Sequence, residues 1–481
     1  MNEKPNIHLF STPGGTYFYD VNTLRIVKIS RAVYELLKEN RPEMAQKSER
    51  CAIERMREEG FLLPDLPEKI LHPSDEIVED ALVDHVQMLI LQVTQQCNFR
   101  CSYCPYTRGI EDRIHSNKKM SIETAKKGVD FFLTHSASVE NPVLGFYGGE
   151  PLLEFELIKE VIEYATWKAE GKVIGFNMTT NGSLLTEEKV EYLRRYPIKI
   201  MISLDGPQSI HDKNRKLAGT GLGSFDQIIE NVQKLYQKYP DFVKNQVQYN
   251  SVIDPVNDFG CFNEFFIDSN YITDSNMLRT EVLQKEFTDY GSEEARQFFL
   301  NREEETFKLF LSQLKRFDQE KVSPIVRTRF SELVNKIHLT RKSVSHLPEC
   351  AHPSGPCIPG TARVFMSTEG DFLPCEKVNE DSAVFRIGNV DTGFDFEAIR
   401  NILNIGQITS ENCRRCWAFT LCICCAKGCE EGDTFSRDKK LRMCGDIKVF
   451  LEDTLKDYCI MKELGYDYQL YQFTDYMQID A

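Results

Sequence analysis

The most constraining feature of this sequence is a stretch of eight residues, 97–104, which holds three cysteines in the pattern C-x3-C-x2-C. An apolar, strand-like run, residues 88–93, comes shortly before it. Soft thiolates spaced this closely suit an iron–sulfur cluster or a zinc ion. A cubane of four irons needs four ligands, so three cysteines leave one iron open to a small chelating molecule. A zinc knuckle or a group of structural cysteines is the alternative interpretation.

The chain has 481 residues, a formal net charge of −15 and 16 cysteines. Its length predicts roughly two to four domains. The acidic balance argues against non-specific binding to nucleic acid or to an anionic membrane. Because the sequence shows no apolar signal core and no apolar run long enough to span a bilayer, we expect a cytoplasmic protein. In that compartment so many cysteines indicate metal or redox chemistry rather than disulfides.

Residues 1–80 are predicted to form a separate small domain. Short strands are expected near 8–10, 16–21 and 25–29, with glycine and proline in the turns, and two amphipathic helices follow. Acidic residues are interleaved throughout and no basic recognition helix is present, which argues against a DNA-binding winged helix. An N-terminal cap or a dimerisation unit is a further alternative for this domain.

Strands and helices alternate from about residue 85 to 285, the pattern of βαβ units around a parallel sheet. Strands are predicted near 87–94, 142–148, 172–180, 198–205, 244–254 and 277–283, and helices near 121–135, 156–170, 186–196 and 224–239. Parallel sheets place functional groups at the carboxyl ends of their strands. The polar motifs of this region all follow predicted strand ends: Cys97, Gly148 to Pro151, Thr179 to Gly182 and Ser203 to Gly206.

The pattern C-x3-C-x-aromatic-C, with Tyr103 before the last cysteine, resembles the signature of radical S-adenosylmethionine (SAM) enzymes. The resemblance implies an α/β fold, a partial (β/α)6 barrel over residues 85–285. It implies that Cys97, Cys101 and Cys104 hold a 4Fe–4S cluster whose open iron binds the amino and carboxylate groups of SAM. Reduction then splits SAM and yields a 5′-deoxyadenosyl radical, which abstracts hydrogen from an unactivated carbon.

The run Gly148-Gly149-Glu150-Pro151 resembles the Gly-Gly-Glu motif of the same family, which binds the SAM amino group. Glycines let the backbone approach a ligand, and a carboxylate accepts a hydrogen bond from an ammonium. Positions that line the SAM pocket in related enzymes match Asn181, Ser203 and Asp205, for which capping of strand ends is the alternative role. The segment 210–215 resembles one in sulfatase-maturating relatives whose arginine, here Arg215, meets the SAM carboxylate.

A second group of cysteines lies between residues 350 and 444: Cys350, Cys357, Cys375, Cys413, Cys416, Cys422, Cys424, Cys425, Cys429 and Cys444. Their order resembles the SPASM extension of radical SAM maturases, which carries two auxiliary 4Fe–4S clusters. By that resemblance Cys350, Cys357, Cys375 and Cys425 hold the first cluster, and Cys413, Cys416, Cys422 and Cys444 hold the second. A zinc ribbon could explain a single C-x2-C pair but not the whole series.

Two departures from the SPASM pattern leave the first auxiliary cluster open to interpretation. Cys350 lies one residue further from Cys357 than in relatives, so this cluster could lack a fourth ligand and offer an iron to a substrate thiolate. Cys424 stands where relatives have glycine, which leaves Cys424 and Cys425 as alternatives, and Cys429 is a spare candidate. Glu376, directly after Cys375, matches the position of a general base and could instead form a hydrogen bond near the cluster.

The remaining segments are predicted from periodicity. Residues 286–345 form a helical bridge with a long helix from Glu293 to Phe317, and Cys261 is expected to be a lone buried thiol. The SPASM domain is placed at 346–446. A helix from Asp446 to Leu464 and a tail make up residues 447–481.

Taken together, the resemblance implies a radical SAM/SPASM maturase of a ribosomally made peptide. Residues 1–80 resemble a winged-helix-like recognition element that binds a leader peptide as an added strand. The motifs Cys104-Pro105-Tyr106 and Cys416-Trp417-Ala418 look most like thioether-forming maturases of cysteine-rich peptides. A carbon–carbon crosslink or a formylglycine product is the alternative. An electron donor such as flavodoxin or ferredoxin is expected, with neither nucleic acid nor membrane as a partner, and the competing hypothesis is a DNA-binding iron–sulfur or zinc regulator.

Overall fold

The computed structural model describes residues 4–41, 44–108, 115–269, 272, 278–283, 288–339, 341–353 and 357–471. The strands are β1 Ile7–Thr12, β2 Gly15–Asp20, β3 Arg25–Ile29, β4 Lys69–Ile70, β5 Met88–Thr94, β6 Val143–Gly148, β7 Gly175–Thr180, β8 Ile198–Ser203, β9 Val247–Ile253, β10 Leu278–Val282, β11 Cys350–Ala351, β12 Val364–Met366, β13 Asp371–Leu373, β14 Gly388–Asn389, β15 Gly393–Phe394, β16 Glu430–Glu431 and β17 Thr434–Phe435. The α-helices are α1 Arg31–Lys38, α2 Lys47–Glu58, α3 Val78–Asp84, α4 Pro105–Arg108, α5 Ile122–His135, α6 Phe155–Lys168, α7 Glu187–Leu193, α8 Gln208–Asn214, α9 Phe225–Lys238, α10 Pro240–Gln246, α11 Phe259–Asp268, α12 Glu293–Gln313, α13 Thr328–Leu333, α14 Phe396–Leu403, α15 Ser410–Arg414 and α16 Arg437–Glu463.

A parallel sheet with the order β10-β9-β8-β7-β6-β5 forms the centre of the molecule. Helices follow its strands, and β5 is buried along almost its whole length because it lies in the interior of this layer. The α/β class and the six strands predicted between 85 and 285 are therefore confirmed. All six carboxyl ends meet at one edge, which is where the polar motifs of the sequence follow their strands.

The cysteine-rich region continues the same sheet. Strand β12 pairs in parallel with β5, with Phe365 opposite Ile90, and β13, β14 and β15 extend the sheet as antiparallel strands. Cys375 follows β13, which is separated from β5 by β12 alone. The region around Cys375 is thus attached directly beside the strand that leads to Cys97.

The C-terminal helix differs from the prediction. Helix α16 begins at Arg437, before Cys444, rather than at Asp446, because the side chain of Ser436 accepts a hydrogen bond from the Lys439 amide and caps it there. The first turns are polar, so apolar periodicity did not reveal them.

The prediction that Cys261 is a buried thiol is wrong, since this residue is exposed at the start of α11. Most of the predicted tail, residues 472–481, lies outside the described residues.

The N-terminal strands form an antiparallel sheet with the order β1-β2-β3. Phe18 packs with Val33 and Ile53 of α1 and α2 on one face. Tyr17 and Tyr19 point to the other face, where they join a core with α16. Strand β3 pairs only with β2 among the described residues, so its outer edge has no strand partner there.

Residues 69–75, between the N-terminal sheet and the barrel, are held against the cysteine-rich region. Strand β4 pairs with β11, and Asn404 accepts a hydrogen bond from the His72 amide and donates one to Asp75. The predicted boundary at residue 80 falls within α3. A search of the described residues for a helix able to cross a bilayer finds none.

Candidate active site

The cysteine loop 97–104 starts at the carboxyl end of β5 and is tied to the segment that follows α8. The Arg100 amide donates to the Lys216 carbonyl at 2.8 Å, and the Ser102 amide donates to the Asn214 carbonyl at 3.0 Å. The side chain of Phe99 is fully buried and anchors the loop in the core. These long-range backbone contacts fix where the three thiols lie, and they bring Arg215 beside the loop.

The thiols of the loop are half-buried and are electrostatic neighbours of one another. Burial raises the pKa of Cys97 to about 11 and that of Cys101 to about 12. Sulfur binds iron as a thiolate, so formation of a cluster here has to release protons from these groups. The Sγ atom of Cys97 also accepts a hydrogen bond from the Phe99 amide at 3.4 Å, which favours the anionic form.

Among the described residues, no group of three or more Cys, His, Asp or Glu side chains converges on a point where one metal ion could be held. A cubane makes a different demand, because each thiolate binds a different iron atom. Three thiols spread along a loop at the mouth of the barrel suit that arrangement. The donor set of Cys97, Cys101 and Cys104 therefore fits a 4Fe–4S cluster with one iron left open.

The two glycines of the Gly-Gly-Glu run lie against the backbone that leads into the cysteine loop. The Gly149 amide donates to the Thr94 carbonyl, and the Glu150 amide donates to the Gln96 carbonyl. A Cβ on Gly149 would stand 2.1 Å from the Gln96 oxygen. Gly148 has a φ of +138°, and a Cβ there would stand 2.1 Å from the Thr94 oxygen. Only glycine fits at either position.

The side chain of Glu150 is buried and fully engaged inside the protein. Its Oε1 accepts from the Leu152 amide and the Thr180 hydroxyl, and its Oε2 accepts from the Asn181 amide at 2.7 Å. Burial raises the pKa of this carboxyl, and the three hydrogen bonds oppose that shift. In the structure this carboxylate joins the end of β6 to the end of β7. Its predicted contact with the SAM amino group stays a prediction.

Asn181 is part of a hydrogen-bond network with the cysteine loop. Its Nδ2 donates to Oδ1 of Asn98 at 2.8 Å, and its Oδ1 accepts from the amide and hydroxyl of Ser183. Asn98 donates in turn to the Ser183 hydroxyl. Asn98 lies between Cys97 and Cys101, so this network holds the end of β7 against the loop. Ser203, the last residue of β8, is also buried.

Asp205, Tyr103 and Arg215 form a buried polar group. Oδ2 of Asp205 accepts from the Tyr103 hydroxyl at 2.5 Å and lies 2.9 Å from Nε of Arg215. The guanidinium lies over the Tyr103 ring, 5.5 Å from its centre. Although the ion pair is short, Arg215 Nε makes no well-aligned hydrogen bond. A guanidinium can bind an anion through its remaining donors, as the resemblance implied for Arg215 and the SAM carboxylate.

His211 supports this group from behind and was not singled out from the sequence. Its Nδ1 accepts from the Asp205 amide, so the proton resides on Nε2, which donates to the Ser224 hydroxyl at 3.1 Å. The Ser224 hydroxyl donates onward to the Arg215 carbonyl. Burial, followed by the charge of Arg215, lowers the pKa of His211 to about 4. The ring is therefore neutral at neutral pH and fixes the backbone of both charged residues.

Three cysteines of the first predicted auxiliary set are electrostatic neighbours: Cys357, Cys375 and Cys425. Burial, and next the charge of Glu376, raises the pKa of Cys375 to about 11. Cys350 is exposed on β11, where it pairs with Lys69. Glu376 accepts from Nη1 of Arg363 at 3.1 and 3.3 Å, so its carboxylate forms an ion pair beside this set.

The second predicted auxiliary set also gathers in space. Cys413 and Cys444 are electrostatic neighbours of Cys416. Cys416 is in turn an electrostatic neighbour of Cys422. Cys424 and Cys429, which belong to neither set, are buried with their sulfurs 3.9 Å apart. The hydrogen bond between them raises the pKa of Cys424 and lowers that of Cys429, and the Cys429 thiol also donates to the Cys425 carbonyl at 3.6 Å.

Glu380 connects the cysteine-rich region to the barrel. Its carboxylate accepts from Nε2 of Gln95 at 3.1 Å and from the Tyr106 hydroxyl at 3.0 Å, and it also contacts Gln92. Two of these residues flank the cysteine loop. Of these residues only Tyr106 belongs to a motif, Cys104-Pro105-Tyr106, and only the contacts in space show its connection to Glu380.

A family model supports the interpretation of the barrel. The Radical SAM superfamily model matches residues 91–259, which run from β5 to the start of α11 and include the three cysteines, the glycine pair and Arg215. This part of the chain is a radical SAM domain. The family implies SAM and a 4Fe–4S cluster as cofactors, in agreement with the donor set at the end of β5.

Several curated proteins are similar to this chain. The cysteine-type anaerobic sulfatase-maturating enzyme of Clostridium perfringens is 24% identical over 391 residues, 76% of this chain and 95% of that protein. The radical SAM cyclopropyl synthase TigE of Paramaledivibacter caminithermalis is 26% identical over 38% of this chain and 39% of its own length. The chain spans about two fifths of the length of several curated relatives that it matches, TigE among them.

A solved structure, anSMEcpe with bound AdoMet, shares the fold. It matches with a TM-score of 0.57 and 20% identity, and the match covers 78% of this chain and 99% of that one. The radical SAM domain of this chain and the region after it thus follow an architecture already known from a SAM-binding protein.

The structure adds residues to the radical SAM domain that sequence reasoning missed. Asn98, Thr180, Ser183 and Ser224 hold the predicted site residues in place. Asn98 could have been noticed because it lies between two of the cysteines. Thr180 lies in the polar run 179–182, whereas Ser183 and Ser224 belong to no motif, and only their hydrogen bonds reveal them.

Proposed function

We propose that this protein is a radical SAM maturase of a ribosomally made peptide and that it forms a thioether between a cysteine sulfur and a carbon. The observation that carries the proposal is the fixed geometry of the cysteine loop. Gly149 packs against one side of it, the segment bearing Arg215 pairs with the other, and three thiols stand at the barrel mouth between them.

The residues of the radical SAM domain have distinct roles in this proposal. Cys97, Cys101 and Cys104 hold the cluster, and Arg215 binds the SAM carboxylate while Asp205 and Tyr103 keep the guanidinium in place. Gly148 and Gly149 hold the end of β6 against the cysteine loop, and the SAM amino group is proposed to bind at this junction. When bound, SAM and the cluster would supply the 5′-deoxyadenosyl radical that abstracts a hydrogen atom from an unactivated carbon.

The N-terminal sheet is proposed to bind the leader of the precursor peptide. Strand β3 has no strand partner on its outer edge among the described residues, and Arg25 and Lys28 are exposed on it. An extended peptide can add to such an edge through backbone hydrogen bonds. The exposed cations would favour a leader with acidic residues. A structure similar in fold, anSMEcpe, holds a peptide together with AdoMet.

The thioether product is supported by the cysteine-rich region. Its strands extend the barrel sheet beside β5, so Cys357, Cys375 and Cys425 lie in the layer next to the barrel. Cys350 on β11 is not among the charged neighbours of Cys357 or Cys375, so three thiols of this set lie together. In the proposal one iron of the first auxiliary cluster would then be open to a substrate thiolate. In the proposal the second auxiliary cluster accepts the electron released on coupling. Glu376, paired with Arg363, is the proposed proton acceptor.

Formylglycine formation is the second candidate, and a carbon–carbon crosslink is a third. The match to the cysteine-type sulfatase-maturating enzyme, which extends over 95% of that protein, favours the second candidate. The products differ in chemistry. A thioether removes two hydrogens and one alkylatable thiol, a carbon–carbon bond removes two hydrogens and keeps every thiol, and formylglycine loses the cysteine sulfur.

The decisive experiment measures iron, sulfide and 5′-deoxyadenosine on anaerobically reconstituted protein. Three cubanes predict about twelve irons per chain. Replacing Cys97, Cys101 and Cys104 together with alanine should remove about four irons and abolish cleavage of SAM. The matched control is Cys261→Ala, an exposed cysteine outside the site, which should change neither quantity. SAM cleavage that survives the triple substitution would refute the radical SAM assignment.

The peptide product is tested with a cysteine-containing precursor peptide, and a short cysteine-rich open reading frame beside the gene would supply its sequence. Mass spectrometry before and after alkylation separates the three chemistries. Loss of two hydrogens with loss of one alkylatable thiol supports the thioether. Retention of every thiol, or loss of sulfur, replaces it with one of the other two products.

A further inference from the structure

Lys440 is a buried lysine whose neighbours are sulfur atoms. It lies in the first turn of α16 and is 3% exposed. Its Nζ donates to Sγ of Cys413 at 3.4 Å and to the Thr409 hydroxyl at 2.7 Å. Among the described residues, no carboxylate lies within ion-pair distance of this ammonium, whereas the thiols of Cys422 and Cys424 are further electrostatic neighbours.

A buried ammonium without a carboxylate needs negative charge from another source. The groups available here are cysteines, three of which belong to the second predicted ligand set: Cys413, Cys422 and Cys444. Cys444 lies one helical turn after Lys440 on the same face of α16, and its Sγ contacts the Lys440 carbonyl. The surroundings of Lys440 therefore fit anionic sulfur bound to a cluster.

Thr409 completes a pair of donors to Cys413. Its hydroxyl oxygen accepts from Lys440, so its proton is free to be donated. The possible acceptors are Sγ of Cys413 at 3.1 Å and the Gly406 carbonyl at 3.5 Å. The second distance is at the outer limit for a hydrogen bond between oxygens, whereas the first is short for sulfur, so the proton is directed at Cys413. One sulfur thus receives donors from two side chains.

We infer that Lys440 and Thr409 raise the reduction potential of the auxiliary cluster that Cys413 ligates. Lys440 acts through its positive charge and its hydrogen bond to Cys413, and Thr409 acts through its hydroxyl. Hydrogen bonds to the sulfurs, net charge and solvent exposure set the potential of such clusters. A buried cation stabilises the reduced, more negative state. Transfer of the electron from the substrate to this cluster would therefore be more favourable than without Lys440. The inference rests on the proposed function, because it needs two auxiliary clusters.

The test is a redox titration followed by electron paramagnetic resonance on the full chain. The three cysteines of the radical SAM domain are replaced with alanine, so that only auxiliary clusters give signals. The signal that disappears on further substitution of Cys416→Ala identifies the cluster in question. Its midpoint potential is then compared in Lys440→Met, Lys440→Arg and Thr409→Val. Arg442→Met is the matched control, because it removes an exposed charge from the same helix.

We expect Lys440→Met to shift the midpoint to a more negative potential, Thr409→Val to shift it less, and Lys440→Arg to restore most of it. Arg442→Met should leave the midpoint potential unchanged, because water screens the charge of an exposed arginine. Equal potentials in the wild type and Lys440→Met overturn the inference while leaving the proposed function intact. If Lys440→Met does not hold the cluster, an unchanged potential in Thr409→Val overturns it. Only about four irons in the parent protein would refute the two-cluster proposal itself.

Discussion

The hydroxyl of Tyr103 donates a 2.5 Å hydrogen bond to Oδ2 of Asp205, and the same carboxylate forms an ion pair with Arg215. One residue comes from the cysteine loop, one from the end of β8, and one from the segment after α8. The side chains of Arg215 and Asp205 are only 8% and 1% exposed. The guanidinium that we propose to bind the SAM carboxylate is thus held in place by Asp205 and by the aromatic residue of the cysteine motif.

Breaking this pair should be costly. Asp205→Asn leaves a buried guanidinium without a counter-charge, so we expect it to lower the free energy of unfolding by about 3–5 kcal/mol. Tyr103→Phe removes one hydrogen bond and should cost about 1 kcal/mol. Anaerobic urea unfolding measures both. Equal losses for the two variants would show that the ion pair does not support the fold.

Gly149→Ala should displace the backbone before Cys97, since the added Cβ meets the Gln96 carbonyl at 2.1 Å. We expect loss of the radical SAM cluster, about four irons per chain, and loss of SAM binding measured by equilibrium dialysis. Gly219→Ala is the control, because a Cβ there meets nothing within 4 Å. Full cluster content in Gly149→Ala would contradict the proposed close approach.

The stability of the protein should fall in acid in part through His211. Its pKa in the folded state is about 4, below the ordinary value of 6.5, because it is buried beside Arg215. The unfolded chain therefore binds the proton first, and stability present above pH 6.5 is lost as the pH falls towards 4, by up to about 3 kcal/mol. His211→Asn should flatten this part of the pH profile of unfolding. Ser224→Ala keeps the titrating ring and should retain the slope; identical slopes in all three proteins would rule the mechanism out.

The N-terminal sheet should loosen when its contact with α16 is weakened. Glu463 accepts from the Thr12 hydroxyl at 2.6 Å and from the Tyr17 hydroxyl at 2.5 Å. In Glu463→Gln a weaker neutral acceptor replaces the carboxylate, so amide hydrogen exchange should accelerate in β1 and β2 but not in the barrel. Asp453→Asn, an exposed change on the same helix, serves as the control. Unchanged exchange in Glu463→Gln would show that apolar packing alone holds the sheet.

The alternation of strands and helices predicted the barrel closely because each element carries its own periodicity. The strand predicted at 142–148 is found at Val143–Gly148, and the helix predicted at 121–135 is found at Ile122–His135. The start of α16 was missed because a serine cap and a polar first turn, rather than an apolar face, determine it. Local patterns thus revealed the elements that bury a face, but not those that begin on polar residues.

The sequence by itself determined the spacing of the three cysteines, the glycine pair at the end of β6 and the succession of strands and helices along the chain, since each depends on neighbours in the chain. Only the tertiary structure decided which side chains meet. It turned Glu150 inward onto Thr180, brought Arg215 under Tyr103, and enclosed Lys440 among cysteines. These contacts join segments that are separated by tens of residues or more, and their geometry depends on how the sheet and helices pack rather than on any local pattern.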